Sequence, residues 1–114
     1  MKVLVTGGAG YIGSHAVKEL VKDHEVIVYD SLELGNKEFI DEKALFIQGG
    51  LSDTEKLDSL FKENNIDIVM HFANYALVGE SVENPSKYFE NNLVNGLNLL
   101  DSMVKNNINK IIFS

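Results

Sequence analysis

The sequence has no cysteine, few basic residues and no long apolar run. Without cysteine there is neither a disulfide framework nor a thiolate metal site. Lysine and arginine number 10 against 17 aspartates and glutamates, which gives a net charge of −7. Such a balance, with no basic stripe, argues against binding to nucleic acid or to an anionic membrane surface. A phosphorylated ligand would need local positive potential, such as backbone N–H groups.

Length and composition favour one small globular domain. The chain has 114 residues, of which 45% are hydrophobic, so one modest core is expected. No stretch approaches the eighteen or so apolar residues that a membrane span needs. The N-terminus leads from Met1–Val5 directly into glycines, without the apolar core or cleavage site of a signal peptide. We therefore expect a cytoplasmic protein with no membrane partner.

Short apolar segments alternate with helical patterns along the chain. The predicted strands cover 2–6, 25–30, 44–48, 67–72 and 109–113, and the predicted helices cover 11–22, 53–63 and 86–106. Alternation of strands and helices implies right-handed crossovers and a parallel sheet. Because the strands are rich in Val, Ile, Leu and Phe, they should be buried on both faces.

Each predicted helix has apolar residues at helical spacing. The first has Ile12, Ala16 and Leu20 at this spacing, with Val17 and Val21 on the flank. Asp53 is a candidate N-cap for the second helix, and Pro85 precedes the third as a natural first-turn residue. The apolar positions predicted for the second and third helices are Leu57, Leu60, Phe61, Tyr88, Phe89, Leu93, Leu97, Leu100 and Val104.

Glycines separate the first strand from the first helix. Gly7, Gly10 and Gly13 would let the backbone turn tightly, approach a pyrophosphate and pack the helix on the strand. The helix would point its free N–H groups and positive dipole end at the phosphates. Glycines at this place are also ordinary turn residues. The strand before them and the helix after them favour a dinucleotide-binding loop.

An acidic residue ends the second strand. Asp30 follows Gly13 by seventeen residues, where a carboxylate can accept both hydroxyls of an adenosine ribose and would repel a 2′-phosphate. The alternative is an ordinary acid at the end of a strand. Together with the glycine loop, Asp30 predicts binding of NAD rather than NADP.

Four segments resemble a known family. Residues 5–15, Val-Thr-Gly-Gly-Ala-Gly-Tyr-Ile-Gly-Ser-His, are similar to the opening of the extended short-chain dehydrogenases/reductases, in particular the UDP-glucose 4-epimerases (UDP-galactose 4-epimerases). Asp67–Ala73 resembles the fourth strand of that family. The segment Val78–Val82 resembles the epimerases rather than the sugar-nucleotide dehydratases or decarboxylases. Tyr88–Asn92 resembles the start of the next helix, and the likeness runs from Met1 to Ser114.

The resemblance implies an α/β fold, a Rossmann-type doubly wound parallel sheet that is incomplete, with about five strands and three main helices. Residues 1–114 would form an NAD-binding domain truncated before the catalytic Tyr-x-x-x-Lys and the substrate domain. The family interconverts UDP-glucose and UDP-galactose by transient hydride transfer from C4 of the hexose to bound NAD. It would form homodimers, with help from the third helix.

The resemblance also implies the site residues. Tyr11 and Ile12 would contact the pyrophosphate through backbone N–H groups, and Asp30 would hold the adenosine ribose. Ser31, Leu32 and the loop after them would border the adenine, while Phe72 and the two residues after it would line the nicotinamide ribose side. The predicted cofactor-binding residues are Gly7, Gly10, Tyr11, Ile12, Gly13, Asp30, Ser31, Leu32, Gly50, Leu51, Phe72, Ala73, Asn74 and Asn91.

The sequence departs from the family pattern beside the predicted adenine site. The family's third strand usually ends in Gly-Asp, and that Asp commonly bonds the adenine amine, whereas Gly49-Gly50 stands here. The family has a small residue where Asn74 stands, and some epimerases have a lysine near the nicotinamide where Ala76 stands. We still expect NAD binding, with weaker adenine contacts.

No catalytic residue of the family is found in the chain. Its catalytic Ser/Thr and its Tyr-x-x-x-Lys pair lie beyond the position matched by Ser114, and Tyr75 and Tyr88 are followed four residues later by Gly79 and Asn92. The chain alone is therefore expected to be inactive, and a UDP-hexose would bind only in a full-length form. The alternatives are a stand-alone, non-catalytic NAD-binding module, or part of another NAD-dependent nucleotide-sugar epimerase or dehydratase.

The histidines predict no further chemistry. His71 stands in an apolar strand, where a hydrogen-bonded core histidine is more common than a catalytic base. His15, His24 and His71 are too scattered along the sequence for a metal site.

Overall fold

A computed structural model describes residues 1–33, 35–73, 85–86 and 90–113. Five parallel strands form one sheet in the order β3-β2-β1-β4-β5. The strands are β1 (Lys2–Thr6), β2 (Glu25–Asp30), β3 (Leu45–Gln48), β4 (Ile68–His71) and β5 (Ile111–Phe113). The helices are α1 (Tyr11–Leu20), α2 (Thr54–Asn64) and α3 (Gly96–Lys105), with a 3-10 turn at Lys37–Phe39 and a π-helical segment at Glu90–Asn95. The predicted α/β class and Rossmann-type sheet are confirmed.

Both faces of the central strands are covered, as the apolar strands predicted, whereas the edge strands β3 and β5 are partly exposed, contrary to the prediction. Successive side chains of a strand point to opposite faces. Val3 and Val5 of β1 therefore pack with Val17 of α1 on one side. Leu4, between them in sequence, packs on the other side in a larger cluster that includes Leu57 of α2 and Leu99 of α3. Two hydrophobic layers thus enclose the centre of the sheet.

The second helix forms as predicted. The Asp53 carboxylate accepts a hydrogen bond from the Lys56 backbone N–H at 3.1 Å, which caps the helix N-terminus. Leu57, Leu60 and Phe61 are all buried. This helix follows directly from the cap and the apolar spacing read in the sequence.

The predicted inner face of the first helix is wrong at Ile12, which is 62% exposed. The helix buries Gly13 and Ser14, which the apolar spacing did not predict, together with Val17 from the predicted flank. Because each residue advances by about 100° around a helix, Ile12 lies to one side of the buried stripe. The stripe begins at a glycine, which the apolar spacing does not mark.

The apolar stripe predicted for the third helix is buried only in part, since Leu100 packs against the core. Leu99 and Met103 are buried, while Leu93, Leu97 and Val104 are exposed. Both series have helical spacing, so periodicity alone did not distinguish them. One helix was predicted over 86–106. Within the described residues, the structure instead has two helical residues at 85–86, the π-helical segment and α3. Asn74, the Val78–Val82 segment, Tyr88, Phe89 and Ser114 lie outside the described residues.

The described part of the chain contains neither a membrane-spanning helix nor a cluster of metal-binding side chains. Among the helices that it contains, none is long and apolar enough to cross a membrane. Its His, Cys, Asp and Glu side chains also form no group of three that could hold a metal ion.

Candidate dinucleotide-binding site

The sheet order creates a crevice at the carboxyl end of β1. This strand pairs with β2 on one side and β4 on the other. From β1 the chain extends the sheet in one direction through β2 and β3, and it then crosses over to extend it in the other direction through β4 and β5. In open α/β sheets, ligands bind at such a switch point, outside the carboxyl ends of the strands. The glycine loop starts here, directly after Thr6.

The glycine loop is too tightly packed for side chains at two positions. Gly7 has φ +76°, and a Cβ there would lie 2.6 Å from the backbone carbonyl carbon of Phe72. A Cβ on Gly13 would lie 2.1 Å from the carbonyl oxygen of Gly7. These close approaches set α1 directly against the end of β1 and bring the loop beside β4.

The N-terminus of α1 presents open backbone donors. Gly10 is the N-cap and supplies no side-chain hydrogen bond. The first N–H groups of a helix have no partner within the helix, and here they belong to Tyr11 and Ile12, both with exposed side chains. The helix dipole adds positive potential at the same place. The arrangement suits an anion without any basic side chain.

Asp30 connects the glycine loop with the loop after β2. The residue as a whole is 8% exposed. Oδ2 accepts a hydrogen bond from the Ala9 N–H at 2.9 Å, and Oδ1 accepts one from the Leu32 N–H at 2.7 Å. Since a carboxylate has about four acceptor positions, both oxygens retain capacity for ligand hydroxyls. Asp30 is therefore a structural acid as well as a candidate ribose acceptor.

The segment after Asp30 folds back on the glycine loop. The Asn36 N–H donates to the Ala9 carbonyl at 3.0 Å. Gly35 passes so close that a Cβ there would lie 2.8 Å from the Ala9 Cβ. Ala9 thus has both of its backbone polar groups bonded to the segment that ends β2 and follows it. This contact forms one rim of the crevice.

Tyr29 supports the turn after β3. Its side chain is buried, and its hydroxyl donates to the Gly50 carbonyl at 2.7 Å. Burial, reinforced by the negative charge of Asp53, raises the pKa of Tyr29 from 10.0 to about 12. The Asn98 amide of α3 donates to the Leu51 carbonyl at 3.2 Å. Two buried elements thus fix the backbone of this turn.

These elements enclose a cavity of about 250 Å³. Its wall contains many of the residues predicted from the sequence: Gly7, Gly10, Asp30, Ser31, Gly50, Leu51, Phe72 and Ala73. The structure therefore brings the glycine loop, the acid and the ends of β3 and β4 to one place.

Other predicted site residues lie off the cavity wall. Tyr11 and Ile12 stand at the start of α1, Gly13 is buried behind the loop, and Leu32 contributes its N–H to Asp30. Asn74 lies outside the described residues, and for Asn91 only a backbone place in the π-helical segment is described. Their predicted contacts with a cofactor remain predictions.

Sequence reasoning missed part of the wall: Tyr29, Glu33, Gly35, Gly49, Ser52 and Asn95. Asn95 could have been found, because it follows the predicted Asn91 by one helical turn. Tyr29 and Gly49 are next to predicted residues. Glu33 and Gly35 belong to the loop after Leu32, which was expected to border the adenine as a segment, whereas Ser52 carries no signal in the sequence.

His71 is a core residue, as predicted. It is fully buried, its Nδ1 lies 2.6 Å from the Thr6 hydroxyl, and its ring meets Phe113 edge-on at 5.3 Å between centroids. These contacts account for a histidine in this strand without catalysis.

A parallel sheet with a glycine loop, a strand-end acid and a cavity at the switch point defines a Rossmann-type nucleotide-binding domain. The sequence profile of the NAD dependent epimerase/dehydratase family matches residues 3–114. The chain belongs to this family.

Within the family, the chain is similar to UDP-glucose 4-epimerases. The chain is 50% identical to UDP-glucose 4-epimerase of Lactobacillus helveticus over 115 residues, covering 100% of this chain and 35% of the relative. It is 43% identical to UDP-glucose 4-epimerase of Bacillus subtilis (strain 168) over 122 residues, covering 100% and 36%. The chain thus spans about a third of the relatives it matches and resembles their N-terminal portion.

Solved structures give the same result. A crystal structure of a UDP-glucose 4-epimerase superposes with a TM-score of 0.96 at 46% identity, covering 99% of this chain and 35% of that one. The UDP-glucose 4-epimerase of Thermus thermophilus, solved in complex with NAD, gives 0.94 at 42% identity, with 99% and 37% covered. Homologues of this chain therefore bind NAD.

Proposed function

We propose that this chain is the NAD-binding portion of an enzyme that interconverts UDP-glucose and UDP-galactose. The observation that carries the proposal is the cavity at the switch point, with the glycine loop on one side and Asp30 on the other. The similarity to UDP-glucose 4-epimerases over the whole chain supports it. NAD would supply a transient hydride acceptor for C4 of the hexose.

The residues present fit the parts of NAD in a definite order. The N–H groups of Tyr11 and Ile12, with the dipole of α1, would hold the pyrophosphate. Asp30 would accept the hydroxyls of the adenosine ribose, and the turn at Gly50 and Leu51 would border the adenine. Phe72 and Ala73, after β4, would line the nicotinamide side, next to the predicted Asn74 and Asn91.

Titration of the 114-residue chain with NAD and NADP tests the cofactor. We expect NAD to bind at least about tenfold more tightly, because Asp30 and Glu33 are the charged residues on the described cavity wall and both would repel a 2′-phosphate. Isothermal calorimetry gives both dissociation constants. Equal or tighter binding of NADP would contradict the assignment to NAD.

A charge-removing variant shows whether Asp30 sets this preference. Asp30→Asn should weaken the binding of NAD and reduce the ratio of the NADP to the NAD dissociation constant, since the amide carries no charge and accepts at one atom only. Asp23→Asn is the matched control, because Asp23 is exposed and stands just before β2, at the other end of the strands from the cavity. If the ratio of the two dissociation constants is unchanged in Asp30→Asn, Asp30 does not set the preference for NAD.

We further propose that the 114 residues alone do not epimerise sugars. The tyrosines at 11, 29, 75 and 88 are followed four positions later by His15, Glu33, Gly79 and Asn92, never by lysine. A coupled assay with UDP-galactose and saturating NAD should stay at the blank rate, and turnover by the pure chain would contradict this. A UDP-hexose partner in a full-length form, a homodimer and a cytoplasmic location remain predictions from the resemblance and the composition.

A further inference from the structure

The cavity has an open space beside Gly50. A Cβ on Gly50 would lie 3.7 Å from the Ser52 hydroxyl oxygen, and, its chain neighbours aside, no other atom of the described residues would lie within 4 Å of it. Both residues line the cavity. The wall here therefore carries no side chain from Gly50 and has the Ser52 hydroxyl at its border.

Ser52 differs from the other polar side chains of the described wall, because its hydroxyl makes no hydrogen bond within the described residues. Tyr29 donates to the Gly50 carbonyl, and Asp30 accepts from two backbone N–H groups. The Ser31 hydroxyl accepts from the Glu33 N–H at 3.3 Å, and Glu33 and Asn95 have interactions of their own. Within the described residues, the Ser52 hydroxyl has no protein hydrogen-bond partner.

The backbone around Ser52 is held in place. The Gly50 carbonyl accepts from the Asp53 N–H at 3.2 Å as well as from Tyr29, and the Ser52 carbonyl accepts from the Thr54 N–H at 3.1 Å. Together with the bond from Asn98 to Leu51, these contacts leave the hydroxyl rotation as the main freedom at this position. A group placed this way binds a ligand with little ordering cost.

We propose that the Ser52 hydroxyl recognises the 6-substituent of the purine base of the bound dinucleotide. The inference rests on the proposed NAD binding, which places the base at the turn of Gly50 and Leu51. A hydroxyl both donates and accepts, whereas a carboxylate only accepts. The site should therefore accept either a 6-amino or a 6-oxo purine, whereas a carboxylate at position 50 would pair with the 6-amino group alone.

Binding to the 114-residue chain tests this with two probes, NAD and its hypoxanthine analogue, in which a 6-oxo group replaces the 6-amino group. We expect the unmodified chain to bind both within about threefold of each other. Ser52→Ala should weaken both by about fivefold, the usual effect of losing one hydrogen bond. Ser52→Thr, which keeps a hydroxyl, should recover most of the affinity. Ser59→Ala, at an exposed serine of α2 away from the cavity, should change neither constant.

A gain-of-selectivity variant completes the test. Gly50→Asp fits the open space and adds an acceptor-only group, so it should favour NAD over the analogue by about tenfold. The proposal is overturned if Ser52→Ala binds both probes like the unmodified chain, or if that chain already rejects the analogue tenfold. Failure of every variant and of the unmodified chain to bind NAD would instead refute the proposed function.

Discussion

At the scale of single residues, Tyr29 shows how the core supports the cavity. Its hydroxyl is the buried end of a β2 side chain, yet it bonds the carbonyl of Gly50 on the cavity wall. The Asp53 carboxylate caps α2 and also disfavours the Tyr29 phenolate. The same acid therefore contributes to the helix start and to keeping Tyr29 protonated.

This raised pKa predicts an alkaline loss of stability. The folded chain holds the Tyr29 proton up to about pH 12, whereas an unfolded tyrosine releases it near pH 10. Between those values the unfolded state binds fewer protons, so the free energy of unfolding falls as pH rises, by about 1 kcal/mol per pH unit. The contribution is fully present below pH 10. Urea unfolding at several pH values between 9 and 12 measures it.

Tyr29→Phe is the matched control for the alkaline titration. It should cost about 1 kcal/mol near neutral pH through the lost hydrogen bond, and its stability should fall less steeply above pH 10. Since lysines also titrate in this window, the difference between the two chains is the relevant quantity. Parallel pH profiles would show that Tyr29 is not the titrating group.

At the scale of elements, the glycine loop and α1 act as one unit because backbone packs on backbone. We expect Gly13→Ala to destabilise the chain by about 3 kcal/mol or more, since its Cβ would overlap the Gly7 carbonyl. Separation of α1 from β1 should also abolish NAD binding. Chemical denaturation and calorimetry measure the two effects.

Gly96→Ala is the control for this change. It places the same methyl group in the first turn of α3, where a Cβ meets no atom within 4 Å. Alanine is favoured over glycine in a helix by up to about 1 kcal/mol, so this variant should be as stable as the original or more so. Equal stability of the two alanine variants would contradict the close packing at Gly13.

The same elements show what could be predicted from the sequence and what could not. The strands and the cap at Asp53 were predictable, because both depend on residue types a few positions apart. The exposure of the Ile12 side chain depends instead on the close packing of Gly13 against Gly7, which apolar spacing does not predict. Ser52 reaches the cavity only because Tyr29 and Asn98 fix its turn from distant parts of the chain. Local patterns thus predicted the strands and the first two helices, while the π-helical segment and the full cavity wall required the tertiary structure.

At the scale of the whole molecule, several of the exposed apolar residues lie on α3, on the segment before it and on β5. In α3 and the segment before it, Leu93, Leu97 and Val104 are exposed, opposite the buried Leu99 and Met103. The edge strand β5 adds Ile112 and Phe113. Apolar surface of this kind is typical of an interaction site, and the resemblance to the epimerase family predicts a homodimer that involves this helix.

We therefore expect the chain to self-associate through α3, and expect Leu97→Glu to shift it toward monomer. Leu97 is 51% exposed, so a charge there should cost little in the folded monomer but much in a buried contact. Leu45→Glu is the matched control, because Leu45 is 54% exposed on β3, at the opposite edge of the sheet. Sedimentation velocity over a range of concentrations separates the cases. Dissociation by Leu45→Glu alone would place the contact at the β3 edge. If neither variant dissociates the chain, the contact would be at the β5 edge, because pairing between backbone groups there is insensitive to a charge on α3.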